Sequence, residues 1–300
     1  MNETLSDNKQ KSKVKKSPTE QTSLLLKAFQ FGFRTLGSVF PRLAANYAFK
    51  LFATPRNKKS SGKSSAIMEE ARQFTIDFKN RSIQCYTWGK TGPKVLLAHG
   101  WESKGAHLQN FVPPLLEMGY QVIAFDAPAH GQSTGKLSNL VDFGETQAEV
   151  AKHVKGIDYI VAHSMGSGAA AYALSQPELQ YKAKKLVMIT SPNRLQDVFA
   201  QFYSLLHIPQ KVQHYFELKV EGITGRSIEY FQIAERLKDT NADQYLLIHD
   251  KDDNVIPLSY GERIVAKNPK VKMWVTKGKG HYKIIKDREV IETVVEFLEA

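Results

Sequence analysis

Residues 157–171 read Ile-Asp-Tyr-Ile-Val-Ala-His-Ser-Met-Gly-Ser-Gly-Ala-Ala-Ala, a segment that leaves the backbone little choice. The β-branched and aromatic residues before His163 favour a strand, and the small residues after Met165 favour a helix. Ser164 therefore stands where a strand must turn sharply into a helix. A turn this tight strains its apex residue, and a large side chain two positions to either side would strike the adjoining strand or helix. Ala162 and Gly166 occupy those two positions. A serine opening a Gly/Ala-rich helix also reads as a plain N-cap, so the segment needs support from the rest of the chain.

That support lies in the order of the apolar runs. Segments 94–99, 121–125, 159–163, 185–190, 245–249 and 271–275 are short and apolar, as strands buried on both faces are. Segments 73–78 and 83–88 read as a hairpin, and helical stretches fall at 106–118, 140–154, 165–174, 259–266 and 289–298. The alternation predicts an α/β fold: a mostly parallel, doubly wound sheet with right-handed crossovers. One connection, between about Thr190 and Gln244, is too long for a simple crossover. It carries Phe199, Phe202, Tyr203, Tyr215, Phe216, Tyr230 and Phe231, and predicts an inserted helical cap at about 194–242. Aromatic rings in a cap suggest an apolar pocket, although most of them serve to hold a cap together.

The formal net charge of +11 raises the question of nucleic acid or anionic membrane, so its location matters. Residues 1–65 hold thirteen Lys and Arg against three acids, a net of +10, which leaves about +1 for residues 66–300. The folded body is nearly neutral, which argues against a basic binding face on it. Residues 1–21 are Lys-rich, polar and aperiodic, as a disordered tail is, and without interleaved aromatics they offer no base-stacking platform, so no nucleic-acid partner is expected. Residues 22–54 are apolar and basic and break at Pro41, which predicts two helical pieces.

Lys27, Arg34, Arg42 and Lys50 interrupt this stretch too often for a spanning helix, and it begins too late for a signal peptide. Two readings of this arm remain: an interfacial helix in peripheral contact with an anionic membrane, or an arm packed on the domain. Residues 57–63, with Ser-Ser-Gly, predict a linker, and the catalytic domain is expected over 66–300. The single cysteine, Cys85, forms no intrachain disulfide, and no zinc-like Cys/His spacing occurs. These features set the expectation of a cytoplasmic chain, peripheral to the inner face of the membrane only on the first of the two readings of the arm, with no metal and no cofactor.

Acyl transfer by serine needs a nucleophile, a base, a carboxylate to orient the base, and donors for the developing oxyanion. Ser164 is the candidate nucleophile. His281 follows the last strand in Thr-Lys-Gly-Lys-Gly-His, a glycine-flexed turn from which an imidazole reaches the sheet edge. The loop His-Asp-Lys-Asp-Asp-Asn-Val-Ile-Pro ending at Pro257 offers Asp250, Asp252 and Asp253; Asp253 is the choice and Asp252 the alternative, with the others read as solvated turn residues. The backbone amides of Met165, at a helix N-terminus, and Trp101, after Gly100, are the candidate oxyanion donors.

The chain resembles the α/β-hydrolase superfamily over about residues 72–300. The resemblance rests on five ordered pieces: His-Gly-Trp at 99–101, Phe-Asp-Ala-Pro-Ala-His-Gly-Gln-Ser at 125–133, Ala-His-Ser-Met-Gly at 162–166, Asp-Asn-Val-Ile-Pro at 253–257, and Gly-Lys-Gly-His at 278–281. It implies a triad of Ser164, Asp253 and His281 with the Trp101 and Met165 amides as oxyanion hole. Three positions depart from the common pattern: Ala162, Ala129 and Asp250 each stand where glycine is usual. By position, His99 and His130 are assigned to loop packing and His163 to shaping the pocket.

A serine apex argues against the haloalkane and epoxide chemistry that uses an aspartate there. The expected activity is hydrolysis of a carboxylic ester or thioester of a small acyl compound, with a lipid-like acyl group as the narrower expectation. Amide hydrolysis of the aminopeptidase kind and ligand binding without turnover are the alternatives on the same fold.

Overall fold

In the computed structural model, which describes residues 18–56 and 65–300, one sheet contains eight strands. They are β1 (Arg72–Phe78), β2 (Arg81–Trp88), β3 (Lys94–Ala98), β4 (Gln121–Phe125), β5 (Tyr159–His163), β6 (Lys185–Ile189), β7 (Gln244–Asp250) and β8 (Val271–Thr276). Their spatial order is β1-β2-β4-β3-β5-β6-β7-β8. β1 pairs antiparallel with β2, and β2 with β4; every other pairing is parallel. The parallel strands are apolar along their length because helices cover both faces: every residue of β6, Lys-Leu-Val-Met-Ile, is buried.

The helices are α1 (Pro18–Val39), α2 (Pro41–Ala53), α3 (Ala66–Glu69), α4 (Val112–Glu117), α5 (Leu140–His153), α6 (Met165–Leu174), α7 (Leu195–Leu206), α8 (Gln210–Thr224), α9 (Ile233–Arg236), α10 (Leu258–Lys267), α11 (Gly280–Lys283) and α12 (Arg288–Glu299). One core layer joins the sheet to α5, α6 and α10 through Phe143, Ala169 and Ile264. The other joins it to α4 and α12 through Leu115, Val290 and Val294. The helix expected over 106–118 is divided. Gly105–Phe111 is a 3-10 helix and the α-helix starts only at Val112, because Pro113 and Pro114 lack the N–H that a continuous helix needs and fit only its first turn.

A third core holds the arm to the cap. α7 and α8 form most of the segment between β6 and β7, and Phe199, Tyr203 and Phe216 are buried there with Phe33, Ala45 and Ala48 of the arm. Phe52 of α2 meets Phe199, Phe202 and Phe216 edge-on at centroid distances of 5.3, 5.1 and 5.7 Å. Burying each such ring stabilises the assembly by roughly 1.5–3 kcal/mol. The cap's rings are thus engaged with each other and with the arm.

α1 and α2 separate at Pro41, as the sequence predicts, but α1 already begins at Pro18, inside the stretch expected to be tail; proline's fixed φ suits a first helical turn. The rest of that tail, 1–17, and the linker expected at 57–63 lie outside the described residues. Among the described residues no helix is long and apolar enough to cross a membrane.

Candidate active site

Ser164 joins β5 to α6 with φ 53° and ψ −123°, a conformation that costs a residue bearing a Cβ about 1–3 kcal/mol. Its surroundings hold it there. The Ser164 amide donates to the Ile189 carbonyl at 2.8 Å, and the Ser167 hydroxyl donates to the Ala162 carbonyl at 2.9 Å, bracing the turn from both sides. The small-residue requirement has a direct cause at Gly166: a Cβ there would stand 2.5 Å from the Ala98 carbonyl oxygen and 2.6 Å from that of His99. Ala162 is fully buried on β5 opposite Ala98, where its one methyl is accommodated in place of the usual glycine.

The sheet order brings β7 and β8 to the same edge, and with them the aspartate and histidine loops. His281 Nδ1 donates to Asp253 Oδ2 at 2.8 Å, and Nε2 accepts from the Ser164 hydroxyl at 3.1 Å. Both His281 and Asp253 are buried. Asp253 Oδ1 accepts from the Val255 and Ile256 amides at 2.8 Å each. Burial pushes the Asp253 carboxyl up, but the bond from His281 and those two amides outweigh it and hold it below its ordinary value.

Asp252, the alternative partner, turns instead to the Gly278 amide at 3.0 Å. Asp250 departs from its reading as a solvated turn residue. It is fully buried and accepts from the Thr276 hydroxyl at 2.7 Å, the Lys279 amide at 3.1 Å and the Asp252 amide at 2.9 Å. The residue that stands where glycine is usual thus ties the aspartate loop to the histidine loop. Gly278 and Gly280 turn that second loop with φ of 81° and 58°, which glycine adopts without steric cost.

Trp101 and Met165 lie on either side of Ser164. A Cβ placed on Gly100 would be 3.0 Å from the Ser164 Cβ, so the Gly100–Trp101 backbone runs directly beside it. Met165 is the first residue of α6, where helix geometry leaves the N–H without an intrahelical acceptor. The two side chains are half-buried and pack on the core. The next residue, Glu102, has φ 53° and accepts from the Arg56 guanidinium at 2.7 and 3.2 Å, which ties the end of the arm to this loop.

Three further histidines surround the site. His163 Nε2 donates to the His281 carbonyl at 2.9 Å and so fixes the backbone that carries the imidazole. His99 Nε2 accepts from the Ala127 amide at 2.9 Å while Nδ1 donates to the Gly100 carbonyl at 2.7 Å. His130 Nε2 accepts from the Glu102 amide at 3.1 Å while Nδ1 donates to the Pro128 carbonyl at 3.0 Å. Burial above all depresses these imidazoles below the ordinary 6.5, His99 to about 4 and His130 and His163 to about 3. Sequence reasoning missed these bonds, and Asp126 as well: it is buried at the end of β4 and accepts from the Gly105 and Gln132 amides at 2.8 Å each. Among the described residues no group of three or more His, Cys, Asp or Glu is placed to hold a metal ion.

The buried histidines set an acid limit on the fold. Between their depressed native values and the unfolded value near 6.5, the unfolded chain binds more protons, so stability rises with pH in that window and is fully present only above it. Each histidine contributes a slope of about 1.4 kcal/mol per pH unit, up to about 4 for all three; Asp126, raised by burial, acts in the opposite sense and subtracts part. Urea unfolding midpoints are expected to fall steeply from pH 6.5 to pH 4.5. A midpoint unchanged across that range would refute the account.

A mostly parallel eight-stranded sheet in this order, with a serine at the strand-to-helix turn after β5 and a histidine and an aspartate meeting it from the loops after β8 and β7, defines the α/β-hydrolase class. The chain belongs to the alpha/beta hydrolase family, whose profile matches residues 95–293. It is 26% identical over 220 residues to protein ABHD12B of Homo sapiens, covering 69% of this chain and only 60% of that relative's length. It is 27% identical over 263 residues to the uncharacterized hydrolase YugF of Bacillus subtilis (strain 168), covering 70% of this chain and 90% of the relative. The solved structure of the Pyrococcus furiosus esterase Pf2001 superposes with a TM-score of 0.61 over 82% of this chain and 98% of that one; at 20% identity the likeness concerns the fold.

Proposed function

We propose that this chain is a serine hydrolase that cleaves a carboxylic ester or thioester through an acyl-enzyme intermediate. The observation that carries the reading is the continuous relay from the Ser164 hydroxyl through His281 to Asp253, with contacts of 3.1 and 2.8 Å. In this reading His281 Nε2 takes the hydroxyl proton as Ser164 Oγ attacks the acyl carbon, and Asp253 stabilises the imidazolium that results. The Met165 and Trp101 amides receive the oxyanion. His281 then returns the proton to the leaving alcohol or thiol, and a water molecule, deprotonated in its turn, releases the acid from Ser164. A lipid-like acyl group suits the apolar, half-buried Trp101 and Met165 beside the nucleophile.

A series of p-nitrophenyl esters of increasing chain length, run beside an acyl thioester and an aminoacyl anilide, tests the reading. Turnover of esters and thioester well above the anilide is expected, with the optimum on acyl chains longer than acetyl. An anilide hydrolysed faster than every ester would replace the reading by amide hydrolysis. No turnover, together with no fluorophosphonate labelling, would make the chain a binding protein.

A further inference from the structure

We propose that the outward face of the N-terminal arm docks on a lipid bilayer that carries anionic headgroups. The proposal rests on the surface alone and stands apart from the ester reading. α1 is apolar on two opposite faces. The first lies on the cap: Phe33 is buried, and a Cβ on Gly37 would be 3.3 Å from Val212. At 100° per residue, Leu24, Phe31 and Val39 lie about 180°, 160° and 120° around α1 from Phe33, the exposed Leu25 and Leu36 lie at the edge between that side and the cap, and beyond the break α2 adds Leu43. Phe31, Leu36 and Leu43 are 70, 65 and 68% exposed. Eight of the fourteen exposed large hydrophobic side chains among the described residues fall between Leu24 and Tyr47, so they form a patch rather than the usual scatter of single residues.

Charge says what covers this patch. Between Glu20 and Glu69 the sequence holds eight Lys and Arg and no Asp or Glu, whereas the rest of the folded body is nearly neutral. Lys27 and Arg34 lie on the flank of α1, between its two apolar faces, and both are exposed. A second copy of the chain seated on this face would press one cluster of cations against another. An anionic bilayer takes both features at once, accepting the apolar side chains at the acyl boundary and the cations, on their flexible stems, at the headgroups. Because no helix among the described residues is long and apolar enough to cross, the arm lies along the interface.

Flotation of the full chain with vesicles of phosphatidylcholine and phosphatidylglycerol, against phosphatidylcholine alone, tests this. The chain is expected to float with the anionic vesicles, and far less with the neutral ones. Leu36→Asp with Leu43→Asp removes two exposed side chains and is expected to lower the partition by about hundredfold, about tenfold for each leucine, at an unchanged thermal midpoint. Lys27→Glu with Arg34→Glu is expected to abolish the preference for anionic vesicles while sparing the fold. Three results overturn the proposal. The wild-type chain could stay in solution equally with both vesicles, the double aspartate variant could float as the wild type does, or the wild type could sediment as a dimer that the aspartate variant dissociates.

Discussion

Replacing Ser164 by alanine is expected to lower kcat for a p-nitrophenyl ester by about 10⁴- to 10⁶-fold while changing KM little, and to abolish fluorophosphonate labelling. The expected size follows from the proposed role. A nucleophile is used only in the chemical step, so its loss removes transition-state stabilisation and leaves ground-state binding in place. The substitution deletes a single oxygen. Alanine bears the same Cβ and pays the same steric cost at φ 53°, and the bonds that hold the turn come from the Ser164 amide and the Ser167 hydroxyl, which remain. Thermal unfolding should therefore be almost unmoved, so a loss of activity cannot be assigned to a loss of fold. Turnover within tenfold of wild type, or labelling that persists, would end the serine mechanism.

The chain's local patterns made the scaffold legible. The parallel strands are short, apolar and separated by helical periods, so their bounds in the structure lie within a residue or two of the expected ones, and α6 spans Met165–Leu174 as the small-residue run after Ser164 predicts. What sequence could not reveal are bonds between segments that only the strand order makes neighbours. Asp250 reaches Thr276 and Lys279 because β7 lies beside β8; in the sequence it is one of three acids in a turn. His163 holds the His281 carbonyl across 118 residues, and Arg56 meets Glu102 across 46. The arm posed a different difficulty. Amphipathicity cannot tell which surface covers an apolar face, and here the helix has two such faces: the cap covers one and the other is bare.

The choice among the three aspartates gives the sharpest test of the proposed relay. Asp253→Asn is expected to lower kcat by about 10⁴-fold, and Asp252→Asn by less than about tenfold. In the Asp253→Asn variant the remaining side-chain oxygen would still accept from the Val255 and Ile256 amides, so the loop keeps its shape. The new amide group would face His281 Nδ1, now 2.8 Å from a carboxylate oxygen, and an N–H there cannot accept the imidazole proton. The ring then carries its proton on Nε2 instead and presents a donor where Ser164 needs a base. The imidazolium also loses the charge that stabilises it in the transition state. Asp252 accepts from the Gly278 amide, which an asparagine oxygen can serve equally well. The pH dependence separates a lost relay from a loosened loop: the Asp253→Asn variant should recover rate as hydroxide rises, because hydroxide can replace the disabled base. If both variants lost activity alike, or Asp252→Asn the more, Asp253 would not be the residue that orients His281.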